Sequence, residues 1–473
     1  MGGLRLRSSR LCSALVLALT LHEAADARAV PVSAPAVLPV TNCNDAGSGS
    51  LRDAVASAVD GDTIDMTQLT CSTISLMTGA IDVGVDSLIL RGPPGGGLAI
   101  ASGHPYGNIR HSGAGVLSLY DLRLSDGHGL YSGGCVHSSG SVYLRNVVVE
   151  LCIAYDGLAP GRVSGGGIWA AGVVELQNSL VYQNAIEAIG DDASGGGIYA
   201  GFGLIMREST LSANDAIGFY DFAFGGGALT YKYAEITNST IEGNYAGLPS
   251  STYYGNVGGL AIIGGLGATA TITNSTIANN YASNFIGGIY TSTPLVMHNS
   301  TVTGNAARVR SGGGEEFAGG LQVYATTAEI SSSILASNFA PPGFLDLAGD
   351  AATITGSHDL IMDSAISPPG TLTDDPQLDG LAYNGGPTRT CALEPTSPAI
   401  DRGIDNGLAT DQRGPPYART SGAATDIGAF ETQTLTDRIF ADGFDGGFMR
   451  ASAVKQRQQD VRGRPASLGR DRA

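Results

Sequence analysis

Between residues 62 and 362 the chain alternates short apolar stretches with glycine-rich and asparagine-bearing turns. Within the stretches apolar residues fall at every second position, as in "VVELQNSLV" (173–181), "AEITNSTI" (234–241), "ATITNSTI" (270–277) and "AEISSSIL" (328–335). This period, with its Ile, Val, Thr and Tyr content, predicts strands half-buried on one face rather than helices.

The strands belong to a repeat. A glycine cluster followed by an apolar stretch returns as "SGGCV", "SGGGIW", "SGGGIY", "FGGGAL", "VGGLAI", "IGGIY" and "AGGLQV", with last glycines at 134, 167, 197, 227, 259, 288 and 320. The period is 29 to 33 residues. Each unit then carries two polar turn positions six residues apart. The first holds Asn146, Asn178, Asn238, Asn274 and Asn299, with Glu208 and Ser332 in two units and Asp121 earlier. The second holds Asn184, Asn214, Asn244, Asn280, Asn305 and Asn338, with Cys152 before them.

Helical repeats of this period need an amphipathic 3.6 pattern, leucine-rich repeats need their own leucine frame, and propeller blades are longer. A stacked β-coil remains: an all-β, right-handed parallel β-helix of about ten coils, two or three strands each, over 62–365. Equivalent residues of successive coils then lie about 4.8 Å apart. Asparagines at one turn position can hydrogen-bond up and down such a stack. The repeated Asn-Ser-Thr is therefore expected to serve a structural ladder rather than glycosylation or substrate.

An open coil end exposes strand edges. Ser50 is placed to N-cap a short helix with Leu51, Ala54, Val55 and Val59 on one face and Gly61 as its stop, giving an N-terminal cap over 30–61. Ahead of it, Arg5, Arg7, Arg10 and the run "LCSALVLALTL" predict an export signal over 1–29. No later stretch is long and apolar enough for a membrane span. After signal removal five cysteines remain, and 43–71 and 135–152 are the sequence-close pairs for disulfides, with Cys391 left over. The 473-residue chain has a net charge of −17; with +2 in the signal and +5 from Arg450 onward, the body carries −24. Nucleic acid and anionic membrane are thereby excluded as partners of the body.

Three regions resemble known exported proteins. "GSLRDAVASAVDGDTIDM" (49–66) resembles the N-terminal segment of bacterial surface β-helix proteins akin to the polymorphic outer-membrane proteins. "DPQLDGLAYNGGPTRTCALEPTSPAIDRG" and "DQRGPPYARTSGAATDIGAFE" (375–431) resemble the choice-of-anchor Q region, here 366–432, with Cys391 standing where relatives often carry His. "DRIFADGFDGG" (437–447) is similar to a C-terminal tag of exported gammaproteobacterial proteins, here within 433–449 and followed by a basic tail over 450–473. The resemblance implies a Gram-negative protein at, or released from, the cell surface, with no uniform enzymatic activity.

The chemistry of β-helix enzymes is only faintly represented. "DGHG" (126–129) and Asp191-Asp192 look like polygalacturonase fragments without that family's other elements. A polyuronate lyase needs an Arg or Lys base beside carboxylates, and Arg207, Lys232, Arg308, Arg310, Glu315 and Glu316 are the candidates in the coils. Asp401, Asp405, Asp411 and Asp426 supply oxygen donors for Ca²⁺ without an EF-hand spacing. No catalytic, cofactor-binding or metal-binding residue is assigned on this basis. The reading is a non-enzymatic exported rod whose partner is an extracellular polysaccharide or a surface protein. Its inserts offer Tyr253, Tyr254 and the aromatics of 216–226 for glycan contact. The alternative is a polysaccharide lyase or glycoside hydrolase.

Overall fold

A computed structural model of the chain describes residues 34–433 apart from 104–105, 158–160, 189–191, 219–221, 248–254, 265–266, 309–316, 342–344, 351–352, 365 and 367. Everything below belongs to the unit that begins at Pro35. The expected signal, the tag at 437–447, the basic tail, and Asp191, Tyr253, Tyr254, Arg310, Glu315 and Glu316 lie outside the described residues.

The strand patterning produces a parallel β-solenoid of about ten coils. Equivalent strands stack into parallel sheets of twelve, eleven, ten, seven and four strands. A complete coil runs Val173–Gln177, Leu180–Tyr182, Ala185–Ala188, Ala193–Ser194 and Ile198–Ala200. Each strand pairs in parallel with its counterpart one coil on, so that Val174 faces Leu204 and Leu180 faces Thr210. Alternation then turns every second side chain of a strand inside, giving two inward rows on the twelve-stranded sheet, one through Leu88, Leu117, Val142, Val174 and Leu204. The other runs from Ile64 through Leu90, Leu119 and Leu144 to Ile330, all fully buried.

The expectation of two or three strands per coil is corrected to as many as five. The two additional strands, in the seven- and four-stranded sheets, form a side lobe with its own core of Ala154, Val163, Ile186, Ala188, Ala193, Ala216, Ala223 and Ala246. Its mostly alanine core lets the two layers approach closely.

The second asparagine position is a continuous ladder. Both the backbone N–H and the Nδ2 of Asn214 donate to Asn244 Oδ1, at 3.0 and 2.9 Å. Asn184, Asn244, Asn280 and Asn305 repeat this geometry toward the next coil. The ladder begins with Cys152 N–H on Asn184 Oδ1 and ends with Asn338 donating twice to Asp346 Oδ1. Every Nδ2 also reaches a carbonyl of the preceding coil, such as Leu211 O from Asn244. The glycine clusters are cut to fit this ladder: a Cβ on Gly197 would lie 2.8 Å from Asn214 Cγ.

A second ladder runs beside it, on the serine that follows the first turn position, which in three coils is the serine of Asn-Ser-Thr. Ser179, Ser209, Ser239, Ser275 and Ser300 each donate their backbone N–H to the serine hydroxyl of the next coil, and Ser333 closes the series on Asp359 Oδ1. The first asparagine position behaves differently. Its residues occupy the left-handed region, with φ of 56° at Asn146, 45° at Asn178 and 51° at Glu208, forming a one-residue corner between the twelve- and eleven-stranded sheets.

At the start, the helix Leu51–Ser57 buries Leu51, Ala54 and Val55 in the main core. Ser50 Oγ accepts from Asp53 N–H as the N-cap, and Asp53 Oδ2 accepts from the N–H of Gly49, the residue before it. The helix stops earlier than expected, at Ser57; Val59 is 44% exposed and Gly61 belongs to the following turn. The disulfides are Cys43–Cys71 and Cys135–Cys152, and Cys391 is free and buried.

Residues 373–432 turn back along the corner between the same two sheets. Thr240 Oγ1 donates to Arg389 O, Thr276 Oγ1 to Gln412 Oε1, and Thr301 Oγ1 accepts from Ala429 N–H. Asn274 and Asn299 donate to Thr410 O and Ile404 O. Both are essentially inaccessible, at 3% and 0% exposure, which rules out glycan attachment there.

Candidate functional site

The solenoid's outer surface decides where a ligand can sit. On the ten-stranded sheet one outward row runs Arg110, His137, Trp169, Tyr199, Leu229, Ala261, Tyr290, Gln322 and Ala348, placed by the register of successive coils. Its first part is a ring stack. His137 and Trp169 lie 4.4 Å apart at 9°, and Trp169 and Tyr199 lie 6.0 Å apart at 8°. Both faces of the single tryptophan are therefore taken by neighbours, leaving only its edge to solvent. Burial lowers the His137 pKa, with Arg110 acting in the same direction.

Farther along, on this sheet and in the turns beside it, the rings tilt. Phe285 and Phe317 meet at 45°, and Tyr290 and Tyr324 at 31°. With Phe224, Val257, Ile286, Gln322, Ala348 and Asp350 they line an open groove of about 770 Å³. Two of its lining residues, Val257 and Ile286, belong with Leu229 and Ala261 to a small buried cluster separate from the core of the solenoid. Tyr324 is 56% exposed. Burial, and after it the neighbouring Tyr324, pushes the Tyr290 phenol up, so it stays protonated and able to donate. A concave, mostly apolar surface with a few polar groups is the usual form of a ligand site.

Of the aromatics singled out from the sequence insert at 216–226, Phe224 lines this groove and Phe222 lies exposed beside it, 6.2 Å from Phe224. Phe285, Tyr290, Phe317 and Tyr324 were not anticipated. The signal for Tyr290 was present: it follows its glycine cluster at the same offset as Trp169 and Tyr199.

The ionisable candidates are dispersed and mostly committed. Arg207 bridges Glu175 and Glu235 at 2.6 and 2.7 Å, Lys232 lies 4.0 Å over Phe202, and Asp192 pairs with Arg162. Asp126 occupies a left-handed corner, and the His128 ring lies 6.3 Å from Tyr155. The four aspartates proposed for Ca²⁺ knit residues 401–432 together. Asp411 is held by Arg413, Asp426 accepts from Asp401 N–H and Thr432 N–H, Asp401 from Ala424 N–H, and Asp405 from Gly407 N–H. Buried Arg419 completes the network with Glu431, whose carboxyl is pushed up to about 7, chiefly by burial. No group of three or more metal-ligating side chains occurs among the described residues.

One carboxyl stands apart. Asp215, on the outer face of the seven-stranded sheet, is pushed up to about 7 by burial alone. Its neighbour in the next coil is Tyr245, whose hydroxyl is buried without a partner and whose ring stacks on Tyr281 at 5.0 Å.

No protein-family model matches the chain, and no curated protein matches it. Among solved structures, the pectate lyase Pel9A is similar at 15% identity over 85% of this chain and 98% of that one, with a TM-score of 0.46. No residue role is carried over at that level. No helix among the described residues is long and apolar enough to cross a membrane.

Proposed function

We propose that this is an exported protein that holds an extracellular polysaccharide in the groove on its ten-stranded sheet, without cleaving it. The observation that carries the reading is the change from flat stacking to tilted rings along one face. Sugar C–H groups are attracted to the negative faces of aromatic rings, and the tilted set, Phe285, Phe317, Tyr290 and Tyr324, is the one that lines an open groove. Export is supported by the N-terminal signal pattern and by two disulfides, which persist in oxidising compartments. Retention at a bacterial surface is supported only by the motifs of 375–431.

Replacing Tyr324 by Ala removes an exposed ring with little packing to lose. We expect its retention on polysaccharide gels to fall about tenfold, or 1.4 kcal/mol, with an unchanged melting temperature. Unchanged retention would place binding elsewhere. The same incubations, assayed for new reducing ends, test the competing hydrolase reading, which is favoured by Asp215. A carboxyl protonated near neutrality is the form a general acid needs, and cleavage would move attention from the groove to the Asp215–Tyr245 face.

A further inference from the structure

We infer that the groove selects an uncharged, hydroxyl-bearing sugar chain over a polyuronate, and that it reads that chain through the side-chain amides of Asn256 and Gln322. This rests on the groove being the binding surface. Both amides line it and both are buried, at 7% and 9% exposure. Gln322 Oε1 accepts from Ala318 N–H at 3.2 Å, which fixes the amide plane and leaves Nε2 as a donor toward the groove. Asn256 Oδ1 is buried with no partner.

An unsatisfied buried acceptor is costly, and the cost is relieved by a ligand that brings an O–H to it. A sugar hydroxyl both donates and accepts, so one hydroxyl can serve Asn256 Oδ1 and another can receive Gln322 Nε2. An ionised carboxylate only accepts. It would leave Asn256 unrelieved, and its own burial needs a cation close by. The described lining residues include no Lys, Arg or His, and Asp350 adds a negative charge to the rim. The acidic body strengthens that repulsion at long range. Polarity of this kind, amides without charge among apolar rings, fits a neutral polymer such as a mannan, galactan or glucan.

Affinity electrophoresis of the full chain through gels containing mannan, galactan, β-glucan, polygalacturonate or alginate, at low and high salt, tests this directly. The expected result is retardation by a neutral polymer, independent of salt, and none by either polyuronate. Asn256→Ala and Gln322→Ala should each weaken that retardation about tenfold; if the first fails to fold, the second decides. Neutral-polymer retardation that both variants preserve would overturn the role of the amides. Retardation by a polyuronate that Tyr324→Ala abolishes would overturn the selectivity and leave the groove as the site. No retardation by any polymer would overturn the groove reading itself.

Discussion

Two rows of asparagine, six residues apart in the same repeat, are held for different physical reasons. In the inner row, Asn184 to Asn338, every amide is consumed by hydrogen bonds to the coils before and after it, and no other residue type interrupts the series. In the outer row the shared property is a backbone in the left-handed region, and Asp121, Glu208, Ser332 and His358 occupy it as well as asparagine does. The outer amides bond to one another only early on, Asn178 to Asn146 at 2.8 Å and Asn146 to Asp121 at 3.1 Å. From Asn274 onward they bond to the returning segment 373–432 instead. A residue that tolerates substitution within its own row is serving conformation; one that does not is serving its neighbours.

Substitutions in each row would break or sharpen this contrast. The largest effect is expected at Asn244→Ala, which strands the backbone N–H and Nδ2 of Asn214 and the carbonyl of Leu211 in the interior. With each unpaired group costing about 1–3 kcal/mol, a loss on the order of 4 kcal/mol is expected in urea unfolding. A loss below about 1 kcal/mol would mean the ladder contributes little.

The next effect concerns the carboxyl that closes the serine ladder. Burial raises Asp359 from 3.8 to about 8 against the pull of the Ser333 N–H. The folded state therefore holds this proton more tightly than the unfolded state. The stability it supplies is complete below the unfolded value of 3.8 and is lost as pH rises through about 8. Asp359→Asn should accordingly raise the melting temperature by several degrees at pH 9 and hardly at all near pH 4. An equal shift at both pH values would show that the carboxyl does not titrate in this way. The smallest effects are expected in the outer row. Asn178→Gly should cost no more than its part-buried bond to Asn146, about 1 kcal/mol, and Asn178→Ala about 1–2 kcal/mol more, because alanine pays the left-handed penalty that glycine escapes. A glycine variant as damaging as Asn244→Ala would erase the distinction between the rows.

The coil period, the inner ladder, the cysteine pairs and the Ser50 cap were legible because each is set by residues close in sequence or repeated in every coil. The serine ladder was hidden in plain view: three of its residues, Ser239, Ser275 and Ser300, lie inside sequons, and only stacking reveals that Ser209 serves the N–H of Ser179. The side lobe was obscured because its strands are short, two residues at Ala193–Ser194 and four at Ala185–Ala188, and its core is mostly alanine, so little apolar alternation shows in the sequence. The helix end was misplaced because Val59 fits the apolar face, yet Asp62 Oδ2 takes its N–H and draws the chain into a turn. The groove was the least legible. Its rings come from Phe224 to Tyr324, a hundred residues apart, and only the rung-by-rung register sets Tyr290 beside Gln322. The docking of 373–432 was equally out of reach, since Thr240 finds Arg389 across 149 residues.

The inner ladder has a direction. Each coil hands its hydrogens to the oxygen of the following coil, and at the far end the Asp346 side chain has only acceptors to offer, while its backbone N–H is spent on Asp363 O. Such a column can be lengthened from within but not at its tip. A coil duplicated between Asn244 and Asn280 would find an oxygen waiting ahead and hydrogens arriving from behind, at no cost to the register. One appended after Asp346 would meet a terminus that has nothing to pass on. Interior duplication is thus the route by which a rod of this kind can grow, and its terminal carboxyl is a stop sign written in the polarity of the hydrogen bonds.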